Sequence, residues 1–316
     1  MTAILRCVPV LLGTTAIALA QTGAPRSNPQ VGVMKVQGNV YLIYGAGPNI
    51  TMQVGDQAVV LVDPGPAALS DQVRAAIRSV TDKRVGYIIQ TSADTSRISG
   101  TAKLAEGGFF MLESANQSRP QASVVAHLNV LGRMSAKDSG VPSTLWPTDT
   151  YNGADWKLYA NNEPLIVEHG VAAHTDGDSI VFFRRSDVVS TGDIFDMTRY
   201  PVIEASRGGS LQGILDTLNH ILKDIAVARE NEQGGTMIIP GHGHVCDRND
   251  LANYRDMLTI IRDRIADLVK KGMTLEQVKA AKPTYDYDGG YGADSGPWTT
   301  SMFVETVYRE LSKKGK

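Results

Sequence analysis

The chain has 316 residues, 42% of them hydrophobic and 20% charged, with a formal net charge of −2. That is globular composition with enough apolar mass for a large core. It excludes the clustered basic face that nucleic-acid binding needs and the acid-rich run of a disordered tail. Residues 1–20 read as an export signal. Arg6 supplies a positive start, Cys7 to Ala20 form an apolar run too short to span a bilayer, and Ala18-Leu19-Ala20 resembles a cleavage site. The alternative is an uncut N-terminal anchor; Cys7 lies too early for lipoprotein processing. Residues 21–30 are polar and suit a mature N-terminal tail, which makes the expected location secreted or periplasmic, with no stable membrane insertion after cleavage. The mature chain then keeps one cysteine, Cys246, and no internal disulfide. A lone cysteine near His244 invites a metal reading but more commonly just packs.

The expected elements follow in order. Val31 to Gly45 reads as two strands around Gln37-Gly38-Asn39. Asn49 to Asp63 adds two more around Gly55-Asp56, the second carrying the apolar AVVLV. Ala67 to Val80 has helical spacing, and Arg84 to Gln90 is a buried strand feeding a loop from Thr91 to Gly100. Ser123 to Met134 reads as a helix carrying His127, which would pack or line a pocket. Leu165 to His174 and Ser179 to Arg184 read as paired strands joined by Asp176-Gly177-Asp178. His169 and His174, five apart on one strand, would face opposite sides. Leu211 to Arg229 is an amphipathic helix, with Ser210 or Ser206 as N-cap and an anion site at its start as the functional alternative. His220 falls off its apolar stripe and reads as solvated. Thr236 to Ile239 is a short strand, Asn249 to Lys270 a long helix, and a last helix begins at Pro297 or Trp298 and ends near Leu311. Tyr285 to Trp298 reads as a packing strap. No repeat is visible, and no linker divides residues 31–316. Strands then helices, twice over, predict two β-rich halves packed face to face with helices outside.

Four loop motifs stand at strand ends: LVDPG ending on Asp63 and its turn, AHTDGD at residues 173–178, STGDIF at 190–195, and IIPGHG at 238–243. In this order they resemble the metallo-β-lactamase superfamily of zinc hydrolases, from about residue 31 to the C-terminus. The resemblance implies an α+β fold, a four-layer αββα sandwich, and a two-metal site. His174 would match a ligand of the first metal, Asp193 the carboxylate bridging both, and His242 a ligand of the second. Asp63 would match an outer carboxylate that steadies the ligand loop. Imidazole and carboxylate suit Zn²⁺ at about 2.0–2.2 Å, and two ions about 3.5–4 Å apart would generate hydroxide near neutral pH.

The departure is in the loop after the strand at Arg84 to Gln90. Where the family carries HxHxDH, this chain reads Ser92, Asp94, Ser96 and Arg97 at the corresponding positions. A serine hydroxyl is a weak ligand and arginine has no lone pair to donate. Arg97 either replaces a metal by charge-assisted hydrogen bonds to Asp193 or Asp94, or points to solvent. His244 could approach the pocket. No nucleophilic triad is legible around Ser92 and Ser96.

Three functions remain open. One is a degenerate relative of the zinc hydrolases with weak or no hydrolase activity and a retained pocket for a small-molecule ligand or substrate. Another is a single-metal hydrolase of an ester, thioester or lactam, with Asp94, His174, Asp193 and His242 holding one Zn²⁺ or Fe²⁺. The third is a structural module assembling through sheet edges. The cofactor expectation is therefore none or one divalent ion.

Overall fold

The computed structural model describes residues 31–109, 121–228 and 234–314. The expected export signal, residues 1–20, and the expected tail, residues 21–30, lie outside these. The apolar runs form strands where the sequence alternates or is β-branched. β1 (Gly32–Gln37), β2 (Val40–Tyr44), β3 (Ile50–Val54) and β4 (Val59–Val62) make an antiparallel meander. Gly38 in the first turn has φ +56, a conformation that favours glycine, and the second turn falls at Gly55-Asp56. β5 (Val85–Ile89), β6 (Ser123–His127) and β7 (Asp149–Tyr151) then add in parallel, giving the order β1-β2-β3-β4-β5-β6-β7. The second sheet runs β12-β11-β10-β9-β8, from β8 (Asp155–Ala160), β9 (Glu163–His169), β10 (Ser179–Phe183), β11 (Val188–Ser190) and β12 (Met237–Ile239).

The helices are α1 (Ser70–Val80), α2 (Thr95–Ile98), α3 (Thr101–Ala105), α4 (Leu128–Met134), α5 (Leu211–His220), α6 (Arg248–Lys270), α7 (Leu275–Ala280), α8 (Asp288–Tyr291) and α9 (Thr300–Lys314). Three apolar clusters order the layers. Val62, Tyr87, Val125, Val167, Val181 and Phe183 fill the space between the sheets. Val73 and Ile77 of α1 pack on the outer face of the first sheet with Leu61 and Ile88. Leu215, Leu258 and Phe303 of α5, α6 and α9 cover the second sheet with Ile180 and Val189. The result is helix, sheet, sheet, helix: the expected four-layer αββα sandwich.

Several expected elements change. Ser123 to His127 is a strand, and only Leu128 to Met134 is helical. The run VVAH brings two β-branched valines and slots between β5 and β7, where its backbone completes the parallel ladder. β9 ends at His169, not at His174, because Gly170 turns back to the Asp178 carbonyl (2.8 Å) and Ala172 adopts φ +53. His174 is thus a loop residue, and the expectation that it shares a strand with His169 fails. The helix from Leu211 ends at His220 and continues as one π-turn, Ile221 to Ile225; its expected end at Arg229 lies outside the described residues. The last helix starts at Thr300 and runs to Lys314. Four residues of the expected loop Thr91 to Gly100 form the short α2.

Ser210, not Ser206, caps α5 by accepting from the Gly213 N–H at 2.9 Å. The carboxylate of Glu310 on α9 accepts from the next two free amides, Leu211 at 2.7 Å and Gln212 at 3.3 Å. A carboxylate there complements the positive end of the helix, which leaves no vacancy for an external anion. Cys246 is buried, as expected for a packing thiol. Among the described residues, no helix is long and apolar enough to cross a membrane.

Candidate metal centre and its arginine

β4 and β5 run parallel, as do β11 and β12, so the loops after these strands gather at one edge of the sandwich. The two sheets are tied there by Thr51 Oγ1 donating to Ser190 Oγ (2.8 Å) and by Ser179 N–H donating to the Thr91 carbonyl (3.0 Å). Asp63 ends β4 in a left-handed backbone conformation, φ +57, unusual for a residue with a side chain. Its carboxylate accepts from Thr91 N–H (2.9 Å) and Thr91 Oγ1 (2.7 Å), holding the start of the next loop.

Arg97 sits in the middle of this edge at 1% exposure, among the largest fully buried side chains. Its Nε donates to Asp193 Oδ2 and its Nη2 to Asp193 Oδ1, both at 2.5 Å. Its Nη1 donates to Asp63 Oδ2 at 3.1 Å. Three faces of the guanidinium thus meet two carboxylates, a fork geometry that lysine cannot reproduce. Burial disfavours the charge on Arg97, but Asp193 and Asp63 outweigh it and raise its pKa. Burial likewise works against a charged Asp193, yet Arg97 and then His174 hold its carboxyl far below the usual range. For Asp63, burial prevails over Arg97 and raises its pKa. Arg97 does not point to solvent.

The seat of the guanidinium is shaped by absent side chains. A Cβ on Gly241 would lie 2.3 Å from Arg97 Nη2 and 2.3 Å from the Gly192 carbonyl oxygen. Asn49 fixes this loop, donating from Nδ2 to the Pro240 and Gly243 carbonyls at 2.9 Å each.

Asp94, His174 and Asp193 bring one ligand atom each within 4.8 Å of one another, a group that could hold a metal ion. His174 Nδ1 lies 2.8 Å from the Val202 carbonyl and Nε2 lies 3.1 Å from Asp94 Oδ2. Both ring nitrogens face acceptors, so the ring is held as an imidazolium. Burial opposes this charge, but the Asp94 hydrogen bond, Asp193 and Asp178 raise its pKa to about 10. Ser92 Oγ donates to Asp193 Oδ2 at 3.4 Å. Ser96 is exposed on α2 and lies apart from the cluster. His242 is half-buried and outside the convergent trio, although Asp193 and Arg97 both influence its charge. His244 is exposed.

Arg207 is a participant that the sequence did not mark. Its Nη1 donates to Asp94 Oδ1 at 3.0 Å and its Nε to Glu204 Oε2 at 2.9 Å. In sequence it stands at the entry to α5, where an anion site is the functional alternative; Glu204 three residues before it is the signal of a charged turn.

The donor set of Asp94, His174 and Asp193 suits one divalent ion, provided the ion displaces the proton between His174 and Asp94. A second ion does not fit. Both Asp193 oxygens are engaged by a buried cation, and that cation fills the space beside them.

No family model matches the chain, and no curated protein does either. Solved structures do. The chain is similar to the stereoselective inverting sec-alkylsulfatase Pisa1 from Pseudomonas sp., with TM-score 0.65, 14% identity, and coverage of 89% of this chain and 50% of that one. It spans half the length of that enzyme. It is also similar to a metallo-β-lactamase from Pontibacter korlensis, with TM-score 0.56, 14% identity, and coverage of 73% of this chain and 99% of that one. The DIM-1 metallo-β-lactamase matches with TM-score 0.54, 15% identity, and coverage of 73% and 98%. At these identities the likeness establishes the fold: the chain has the metallo-β-lactamase architecture.

Proposed function

We propose that the chain is an exported protein of the metallo-β-lactamase fold with weak or no hydrolase activity, in which a guanidinium does structurally what a metal ion would do electrostatically. The observation that carries this reading is the seat of Arg97, buried and fork-bonded to Asp193. Arg97, protonated His174 and Arg207 together balance Asp63, Asp94 and Asp193 without an ion. A hydrolase of this architecture needs a metal-bound hydroxide, and loss of one of two ions removes much of its transition-state stabilisation. The side chains of Asp94 and Asp193 keep 23% and 18% exposure, so a small-molecule ligand has access to the cluster's outer side. Export rests on the arrangement of residues 1–20.

A second reading is a single-metal hydrolase, favoured by the convergence of Asp94, His174 and Asp193. One bound ion would supply Lewis acidity, and His174 and Asp94 would have to surrender their shared proton to admit it. Metal analysis of chain purified without chelator separates the readings, alongside turnover of a chromogenic lactam, an ester, a thioester and an alkyl sulfate ester. The first reading expects well under one equivalent of zinc or iron and no chelator-sensitive turnover. One equivalent of metal with turnover abolished by chelator overturns it in favour of the second.

A further inference from the structure

His127 is the last residue of β6 and the N-cap of α4. Its Nδ1 accepts from the Asn129 N–H at 3.3 Å, which fixes the proton of a neutral ring on Nε2. Its ring lies flat against His169 of β9, centroids 3.8 Å apart and planes 7° from parallel. His169 donates from Nδ1 to the Asp178 carbonyl at 3.0 Å. Tyr151 of β7 meets the other side of His127 edge-on at 5.1 Å, with its hydroxyl paired to Ser179. The charged groups around the ring are Asp176, in the loop opposite, and Arg133, on α4 itself and paired to Asp176. His127 is 4% exposed.

The helix that His127 caps is fastened to the loop carrying His174. Asn129 Nδ2 donates to the Asp176 carbonyl at 2.7 Å, and Arg133 Nε donates to Asp176 Oδ1 at 2.7 Å. Arg133 also reaches the Arg207 carbonyl. A Cβ on Gly177 would come within 3.1 Å of Val130, so α4 and the loop are in close contact.

We infer that His127 is an acid-sensitive cap whose protonation at Nδ1 releases the start of α4 and, through Asn129 and Arg133, loosens the loop that holds His174. A proton on Nδ1 turns the acceptor of the Asn129 N–H into a second donor, so the cap is lost outright. It also places a charge against the stacked His169 ring. Burial first, and then His169, lower the pKa of His127 to about 4, with Asp176 working the other way. In an opened α4 the ring would return to about 6.5. Opening is therefore linked to proton uptake across the window from about 6.5 down to about 4.

The test is amide hydrogen exchange of the full chain, corrected for intrinsic rates, over that window. Protection at residues 129–134 and 172–178 should fall together by up to about a hundredfold between pH 7 and pH 4, the change that linkage to a proton site at about 4 closed and about 6.5 open requires. His127→Asn keeps an acceptor at every pH and should flatten the profile of both segments. His169→Gln should move the midpoint upward. Identical profiles for wild type and His127→Asn overturn the proposal, as does a fall confined to residues 129–134. Should His127→Asn fail to fold, histidine NMR of the wild type decides: a His127 that stays neutral while α4 loses protection overturns it.

Discussion

Arg97 and Asp193 are joined at two points, Nε to Oδ2 and Nη2 to Oδ1, across a separation of 96 residues in sequence. Among the described residues, the charges acting on this carboxylate after Arg97 are those of His174 and then His242. Arg97→Ala should therefore destabilise the fold by about 3 kcal/mol, the low end for a broken buried ion pair, because Asp193 keeps some contact with solvent. Asp193→Asn in the same background should recover part of the loss, and denaturant unfolding of the two single variants and the double variant measures the coupling. An unchanged midpoint for Arg97→Ala would contradict the assignment.

Gly241→Ala tests the seat from the other side. The added methyl would meet both the guanidinium and the Gly192 carbonyl, and only the former belongs to a side chain. A cost of about 1–3 kcal/mol is expected from overpacking. A melting temperature equal to that of wild type would mean that the slot has slack the geometry does not show.

The pH dependence of stability follows from His174. Its folded pKa is raised to about 10, above an unfolded value of about 6.5. Its contribution is thus fully present below about 6.5 and is lost as pH rises through about 10. Asp193 is shifted the opposite way, so its contribution is present above about 3.9 and is lost as pH falls below that value. Urea unfolding between pH 6 and pH 10 should show the wild type losing stability relative to His174→Gln. Parallel curves would refute the imidazolium assignment.

Arg97→His should raise zinc uptake, because it exchanges a permanent cation for a donor beside Asp193. Equilibrium dialysis against zinc reads the stoichiometry of both proteins. No gain over wild type would mean that the remaining loop geometry, and not the guanidinium, keeps metal out.

The sandwich was legible because its buried strands are short apolar runs bounded by turn residues, as at Val59 to Val62, and because the site residues stand at strand ends. Ser123 to His127 was not legible as a strand, since three apolar residues, Val124 to Ala126, beside a true helix carry no period of their own. The end of β9 was hidden because Gly170 and Ala172 break the strand by backbone conformation, which apolar patterning does not record. In the site, a partnership between Arg97 and Asp193 could be read from charge and loop order alone. The third contact, to Asp63, and the clearance at Gly241 could not, because they depend on how closely two distant loops approach. Arg207 escaped notice for the same reason: its partner Asp94 is 113 residues away.

The carboxylate of Glu310 closing the start of α5 reaches across 99 residues of chain. A ribosome that has translated α5 has therefore not yet made the group that satisfies its first amides, nor Phe303 and Val307, which complete the apolar layer beneath it. The second sheet must wait, partly uncovered, while α6 and α9 are synthesised. A message truncated before codon 300 would yield a polypeptide with every described strand in place but without α9, leaving an exposed apolar face, a substrate for proteases and for aggregation.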